Sequence, residues 1–139
     1  MKPILQGEVV LEVPFHDVDV MGVAWHGHYV KYLEIARTAM MRQVNLDWQQ
    51  MKDWGVMWPV VTCNMKYIRP LRYGQKVRVA CTLHEYQQRI RITYLLTDAA
   101  TGERVHRAET IQLAVDANTG ELLFDCPAEL TRALGQVQA

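Results

Sequence analysis

The chain predicts a single α+β domain, spanning residues 1–139, in which an antiparallel sheet wraps one long helix. Three observations predict it. A strand-like alternation stands near the amino terminus, one extended amphipathic helix follows it, and the remainder reads as apolar segments of period two separated by turn residues. With 139 residues, 50% of them hydrophobic, such a domain can bury a core without disulfides or metal.

The elements follow in order. Val9, Leu11, Val13 and Phe15 alternate with Glu8, Val10, Glu12 and Pro14, which is the pattern of a half-buried strand, and Pro14 marks an edge or a strand end. A polar, glycine-containing loop covers 16–27. Tyr29, Leu33, Ala36, Met40 and Val44 then recur at helical spacing, with Lys31, Glu34, Arg37 and Arg42 outside the stripe, and the helix is expected to end near Asn45. Over 47–54 a short helix ending at Gly55 competes with a loop in which Trp48, Trp54 and Trp58 cover a pocket. Strands are expected over 57–68, 76–86, 89–97 and 104–115. The breaks between them, Arg69-Pro70 with Tyr73-Gly74, then 98–102 and 116–120, carry turn chemistry and read as antiparallel hairpins. A short helix over 127–134 closes the chain, with Pro127 in its first turn. A sheet this wide leaves its edges unpaired, so a second copy of the chain is expected to cover them.

Composition removes several function classes. The 15 basic and 15 acidic residues cancel, so no net field draws the chain to nucleic acid. No apolar run approaches the roughly 18 residues of a membrane span, and the first residues lack the apolar core of a signal peptide, which points to the cytoplasm and against membrane insertion. Cys63, Cys81 and Cys126 contain no Cys-x-x-Cys pair and read as thiols of a reducing compartment. There is no serine at all, which excludes serine-hydrolase and P-loop serine chemistry. A carboxylate, a histidine or a cysteine must carry any hydrolysis.

The chemistry-bearing residues cluster in HDVDVMGVAWHGH, residues 16–28, which holds three of the five histidines and two aspartates and feeds directly into the helix. The amino end of a helix presents N–H groups without intrahelical partners and a partial positive charge, so it can polarise a carbonyl. His26, Gly27 and His28 stand where those donors lie, no usual capping residue is evident, and Gly22 and Gly27 permit close approach. Read alone, Asp19 is more commonly a loop aspartate making a turn or cap hydrogen bond. A metal held by His26 and His28 with Asp17 or Asp19 is a second reading, although a site within one short loop usually needs further ligands.

The stretch FHDVDVMGVAWHGHYVKYLEIART resembles the 4-hydroxybenzoyl-CoA thioesterase-like hotdog proteins, and among them the acyl-CoA thioesterases associated with the Tol–Pal system. The resemblance rests on Phe15, the pair Asp17 and Asp19, Gly22, Trp25 with His26, Tyr29, Glu34 and Ala36-Arg37-Thr38. It continues through PVVTCNMKYIRPLRYGQ and covers about residues 8–115. It implies a hotdog fold, a long central helix wrapped by a five- to six-stranded antiparallel sheet, assembled as a homodimer or homotetramer. It implies an acyl thioesterase acting on an acyl-CoA or acyl carrier protein thioester, with no cofactor and no metal. Asp19 would be the catalytic carboxylate, and the His26 N–H would face the thioester carbonyl. Gly27 and Tyr29 would stand beside the substrate, Tyr29 with its side chain in the core, while Val60, Val61 and Thr62 would line the acyl pocket. Asp17 is expected to be structural. Some members bind CoA phosphates through paired arginines where this chain has Gln87 and Gln88, with Arg89 and Arg91 later, so acyl carrier protein stands beside CoA as the carrier. His28 stands where asparagine is common. The reading from a different class is a non-catalytic acyl-thioester-binding hotdog module, which keeps the fold and pocket but needs no ionised carboxylate.

Overall fold

The computed structural model describes residues 3–138, the side chains of 136–138 excepted. Its strands are β1 (Leu5–Glu12), β2 (Val56–Met57), β3 (Val60–Tyr67), β4 (Lys76–Glu85), β5 (Ile90–Asp98), β6 (Arg104–Gln112) and β7 (Val115–Asp116). Its helices are α1 (Tyr29–Arg42), α2 (Trp48–Asp53) and α3 (Ala128–Gln138). Five strands form one antiparallel sheet in the order β1-β4-β5-β6-β3, and β2 pairs with β7 in a separate two-stranded ladder.

The period of two sorts the sheet into faces. Val77, Val79, Cys81 and Leu83 on β4, with Ile90, Ile92, Tyr94 and Leu96 on β5, are buried on one face. Helix α1 lies across that face against β1 and β4. Its stripe of Tyr29, Leu33, Ala36 and Met40 is buried as the spacing predicts, and Val44 packs half-buried just beyond the helix end. The approach is close enough to require glycine on the strand, since a Cβ at Gly7 would stand 2.7 Å from Met40 Cβ and 2.9 Å from its Cα. Asn45 ends the helical stretch by taking φ of 59°, a left-handed conformation that asparagine tolerates.

Local chemistry settles the ambiguous segment after α1. The Asp47 side chain accepts from Trp48 N–H at 2.7 Å and the Gln50 side chain accepts from Asp47 N–H at 3.0 Å, a reciprocal cap that makes α2 a helix.

Three expectations are corrected. The first strand ends at Glu12, and Phe15 sits in a 3₁₀ turn, 73% exposed and edge-on to Tyr73, because Pro14 supplies no N–H to continue the ladder. The strand expected over 57–68 is cut at Pro59 into β2, which pairs with β7, and β3, which pairs with β6. The segment with Arg69-Pro70 and Tyr73-Gly74 is not a hairpin. It carries the chain from the edge strand β3 to β4 on the far side of β5 and β6. The 98–102 turn does join neighbours, β5 and β6, with Asp98 Oδ1 accepting from Ala100 and Thr101 N–H at 2.8 and 2.9 Å.

The two edges of the sheet differ. β1 has α1 packed on its inner face. β3 is open along its length, with Val60, Val61 and Tyr67 between 41% and 48% exposed.

Candidate active site

Two layers meet at the amino end of α1. In the lower one, a 3₁₀ turn (Phe15–Asp17) drops Asp17 into the interior, 2% exposed. Lys31 Nζ lies 2.5 Å from one carboxylate oxygen, and Tyr32 Oη donates to the other at 2.7 Å. Burial pushes the Asp17 carboxyl up, but the hydrogen bonds from Lys31 and Tyr32 and the Lys31 charge together outweigh it and hold the carboxyl below its usual range. Burial and the neighbouring carboxylate raise the Tyr32 hydroxyl far above its ordinary value, so it stays a donor. With both oxygens occupied, Asp17 anchors the helix to the loop.

The upper layer is open. Asp19 N–H donates to Val23 C=O at 2.9 Å, and Gly22 N–H donates to Asp19 C=O at 2.9 Å, in a tight turn that places Gly22 at φ of 77°. Asp19 Oδ1 accepts from Met21 N–H at 2.9 Å. Its other oxygen has no partner among the described residues, and the side chain is exposed. The turn aspartate of the simpler sequence reading is therefore present, but it engages one oxygen only.

The chain then returns to the core. Ala24 N–H donates to Leu71 C=O at 2.7 Å and Trp25 N–H to Asp17 C=O at 2.9 Å. A second 3₁₀ turn (His26–His28) leads into α1 with no side-chain cap. The His26 and Gly27 N–H groups have no acceptor among the described residues, which is the state of donors at an uncapped helix start. The Trp25 indole folds over Gly27, so a Cβ there would stand 2.1 Å from the ring, and the same ring packs against His26 and His28 at centroid distances of 4.8 and 5.4 Å.

Beneath this turn sits an aromatic cluster that the sequence pattern did not reveal. His106 lies 4.7 Å from the Tyr29 ring and 4.6 Å from the Tyr67 ring, is fully buried, and has no hydrogen-bond partner at either ring nitrogen among the described residues. Burial lowers its pKa to about 4, so it is a neutral ring at ordinary pH. Tyr67 Oη donates to His26 C=O at 2.7 Å, and Tyr29 Oη accepts from Leu71 N–H at 3.2 Å.

The predicted site residues divide accordingly. Asp19, His26 and Gly27 share the exposed loop at the helix start. Tyr29 is 2% exposed and its hydroxyl accepts from Leu71 N–H, so its side chain lies in the core. Val60, Val61 and Thr62 stand exposed on β3, the edge strand of the sheet.

An apolar cavity of about 490 Å³ lies at the carboxyl half of α1, among Met41, Trp48, Met51, Trp58, Ile90 and Ile92. Trp48 and Trp58 thus act as cover for a pocket, while Trp54 packs against the core. A larger depression of about 840 Å³ is polar, runs along 84–89, and includes no residue of the Asp19 loop. Burial disfavours the thiolate form of all three cysteines. Burial pushes Cys81 and Cys126 up to about 11 and raises Cys63 as well. Among the described residues no three His, Cys, Asp or Glu side chains converge as metal ligands.

A helix cradled by a five-stranded antiparallel sheet, with a carboxylate loop at its amino end, defines a hotdog-type domain, and solved structures of that fold superpose on it closely. A 1,4-dihydroxy-2-naphthoyl-CoA (DHNA-CoA) thioesterase from Staphylococcus aureus matches with a TM-score of 0.84 at 23% identity, over 96% of this chain and 91% of that one. A 4-hydroxybenzoyl-CoA thioesterase variant complexed with 4-hydroxybenzoyl-CoA matches with a TM-score of 0.80 at 18% identity, over 93% and 98%. At these identities the likeness carries the fold. In sequence, the chain belongs to the Thioesterase-like superfamily, which it matches across residues 13–134. It is 26% identical over 112 residues to a 1,4-dihydroxy-2-naphthoyl-CoA hydrolase of Thermosynechococcus vestitus, covering 79% of this chain and 76% of that protein. Family membership makes the chain a thioester hydrolase by class. Among the described residues no helix is long and apolar enough to cross a membrane.

Proposed function

We propose that the protein is an acyl thioesterase that hydrolyses an acyl-CoA or acyl carrier protein thioester to the free acid and thiol, with Asp19 as its essential carboxylate. The observation that carries this reading is the pairing, within one exposed loop, of the Asp19 carboxylate and the His26 and Gly27 N–H groups, where one carboxylate oxygen and both N–H groups have no partner among the described residues. The N–H groups and the positive end of α1 stabilise negative charge on the carbonyl oxygen as it develops. Asp19 then either bonds to the carbonyl carbon, expelling the thiolate and leaving an anhydride for water to open, or takes a proton from the attacking water. Both routes require the ionised form.

The acyl group is assigned to the apolar cavity near Trp58, whose size suits a small-molecule tail. That cavity begins at Arg37, eight residues or about 12 Å along α1 from Tyr29. The exposed β3 edge supports assembly as a homodimer or homotetramer. β3 ends beside His26 at Tyr67 and begins beside the cavity after Trp58, so antiparallel pairing of two β3 edges would set one copy's helix start against the other's cavity. The local string around Asp19 favours the Tol–Pal-associated group, and the composition favours a single cytoplasmic domain.

The test is hydrolysis by the purified protein of a panel of acyl-CoA and acyl carrier protein thioesters of graded length, alkyl and aryl, with light scattering for the assembly. Turnover of at least one class is expected. Binding across the panel without any thiol release would sink the proposal and favour the non-catalytic module.

A further inference from the structure

Resting on the function just proposed, we infer that Tyr67 is a positioning residue for the carbonyl site. By donating to the His26 carbonyl it aims the Gly27 N–H away from the sheet, as a second donor to the substrate oxygen.

The geometry begins with the peptide unit. In a planar trans peptide, the carbonyl of one residue and the N–H of the next point in opposite directions, so holding the His26 C=O fixes the direction of the Gly27 N–H. Tyr67 Oη lies 2.7 Å from His26 O, from the end of β3 and 41 positions along the chain. The bond therefore draws the carbonyl towards the sheet and turns the following N–H outward. That N–H has no acceptor among the described residues, and the Trp25 ring covering Gly27 leaves no room for a side chain beside it. Donation to the carbonyl also polarises the peptide group and strengthens the N–H as a donor.

Tyr67 is suited to this task by what holds its ring. β3 is open along its length, yet this ring is wedged against Tyr29 at 4.9 Å and His106 at 4.6 Å. Tyr29 is in turn anchored through its hydroxyl to Leu71 N–H. His106, without a partner at either nitrogen among the described residues, contributes ring surface to the wedge rather than a hydrogen bond.

The experiment is Tyr67→Phe, which removes the one oxygen and keeps the ring. Deleting an oxyanion donor outright costs about 100 to 1,000-fold, and misaiming one costs less, so kcat is expected to fall about tenfold. KM should stay within about twofold and the melting temperature nearly unchanged. A second readout needs no turnover. The His28 N–H, bonded to Trp25 C=O at 2.9 Å, reports the order of the turn, and its hydrogen exchange should quicken about tenfold in the variant. Wild-type kcat in the variant overturns the inference, and so does a fall in kcat with His28 exchange unchanged. A wild-type protein that hydrolyses no thioester defeats the function proposed above, while exchange at His28 still shows whether Tyr67 holds the turn.

Discussion

Asp17 and Asp19 stand two residues apart in one loop and live in opposite surroundings. Asp17 is buried with Lys31 and Tyr32 on its two oxygens, whereas Asp19 is exposed, with one oxygen in a turn and the other without a partner among the described residues. The same division runs through the residues around them: Tyr29, Tyr32 and His106 form a packed layer, and His26 and Gly27 an open one. A carboxylate whose partners are all protein groups cannot attack or take a proton without abandoning them, so its charge serves stability. An open carboxylate contributes little to stability and remains available for chemistry. The contrast teaches that a repeated residue type in a short motif can split its labour through burial alone.

The sharpest way to break the contrast is Asp19→Asn. The amide oxygen can still accept from Met21 N–H, so stability should hold within about 0.5 kcal/mol while kcat falls at least about 100-fold. Near wild-type turnover would show that the open carboxylate is not the reacting one.

Next in size is the acid response of the packed layer. His106 is neutral when folded, with a pKa of about 4, and binds a proton near 6.5 when unfolded. Between those values the unfolded state holds more protons, so stability should fall as pH drops from 6.5 to 4, by up to about 3 kcal/mol. His84, lowered in the same direction by burial, adds to the same window. The Asp17 contribution runs later. Its folded pKa is below 3.8, so its stabilisation is lost only as pH falls beneath that value. Denaturant melts at pH 7, 5 and 3 on the wild type and His106→Phe would separate the two, since the variant should flatten the upper window alone. An unchanged slope in the variant would remove His106 from the account.

Asp17→Asn should cost about 2 kcal/mol in urea unfolding. That is less than the loss of a fully buried pair, because Lys31 is 49% exposed and can return its charge to water. Turnover of the folded fraction should change far less than for Asp19→Asn, and a loss of comparable size would erase the distinction between the layers.

The smallest expected effect belongs to Gly27→Ala. The new methyl must displace the Trp25 ring, which is 48% exposed and free to swing aside, so stability should barely move. The shifted turn should lower kcat by about tenfold or less, measured in the same assay. No change in kcat would mean that the Trp25 cover plays no part in the open layer.

Where the controlling contacts are local, the sequence reading and the structure coincide. The α1 stripe, the Asp47 start of α2, the Asp98 turn and the loop that gathers Asp19, His26 and Gly27 all depend on residues within a few positions of one another. The errors lie where distant segments meet. The sheet order β1-β4-β5-β6-β3 cannot be read from alternation, which marks faces but not neighbours, and so the link from β3 to β4 looked like a hairpin. The apolar cavity forms from α1, α2, β2 and β5, whose residues carry no common pattern. The signal for the aromatic cluster was a lone histidine and a lone tyrosine on separate strands, which pair at Tyr67 and His106 only once β3 joins β6.

By itself, then, the sequence determined the element types, the order of strand, loop and helix, the residues delivered to the helix start, and, through resemblance, the class of chemistry. Only the tertiary structure decided which of two neighbouring aspartates is buried, because that depends on Lys31 and Tyr32 closing over Asp17 from 14 and 15 positions away. It alone also showed that Tyr67 donates to the His26 carbonyl from 41 positions away. Local periodicity records which face of an element is apolar, but burial and hydrogen-bond partners follow from how those faces meet in space.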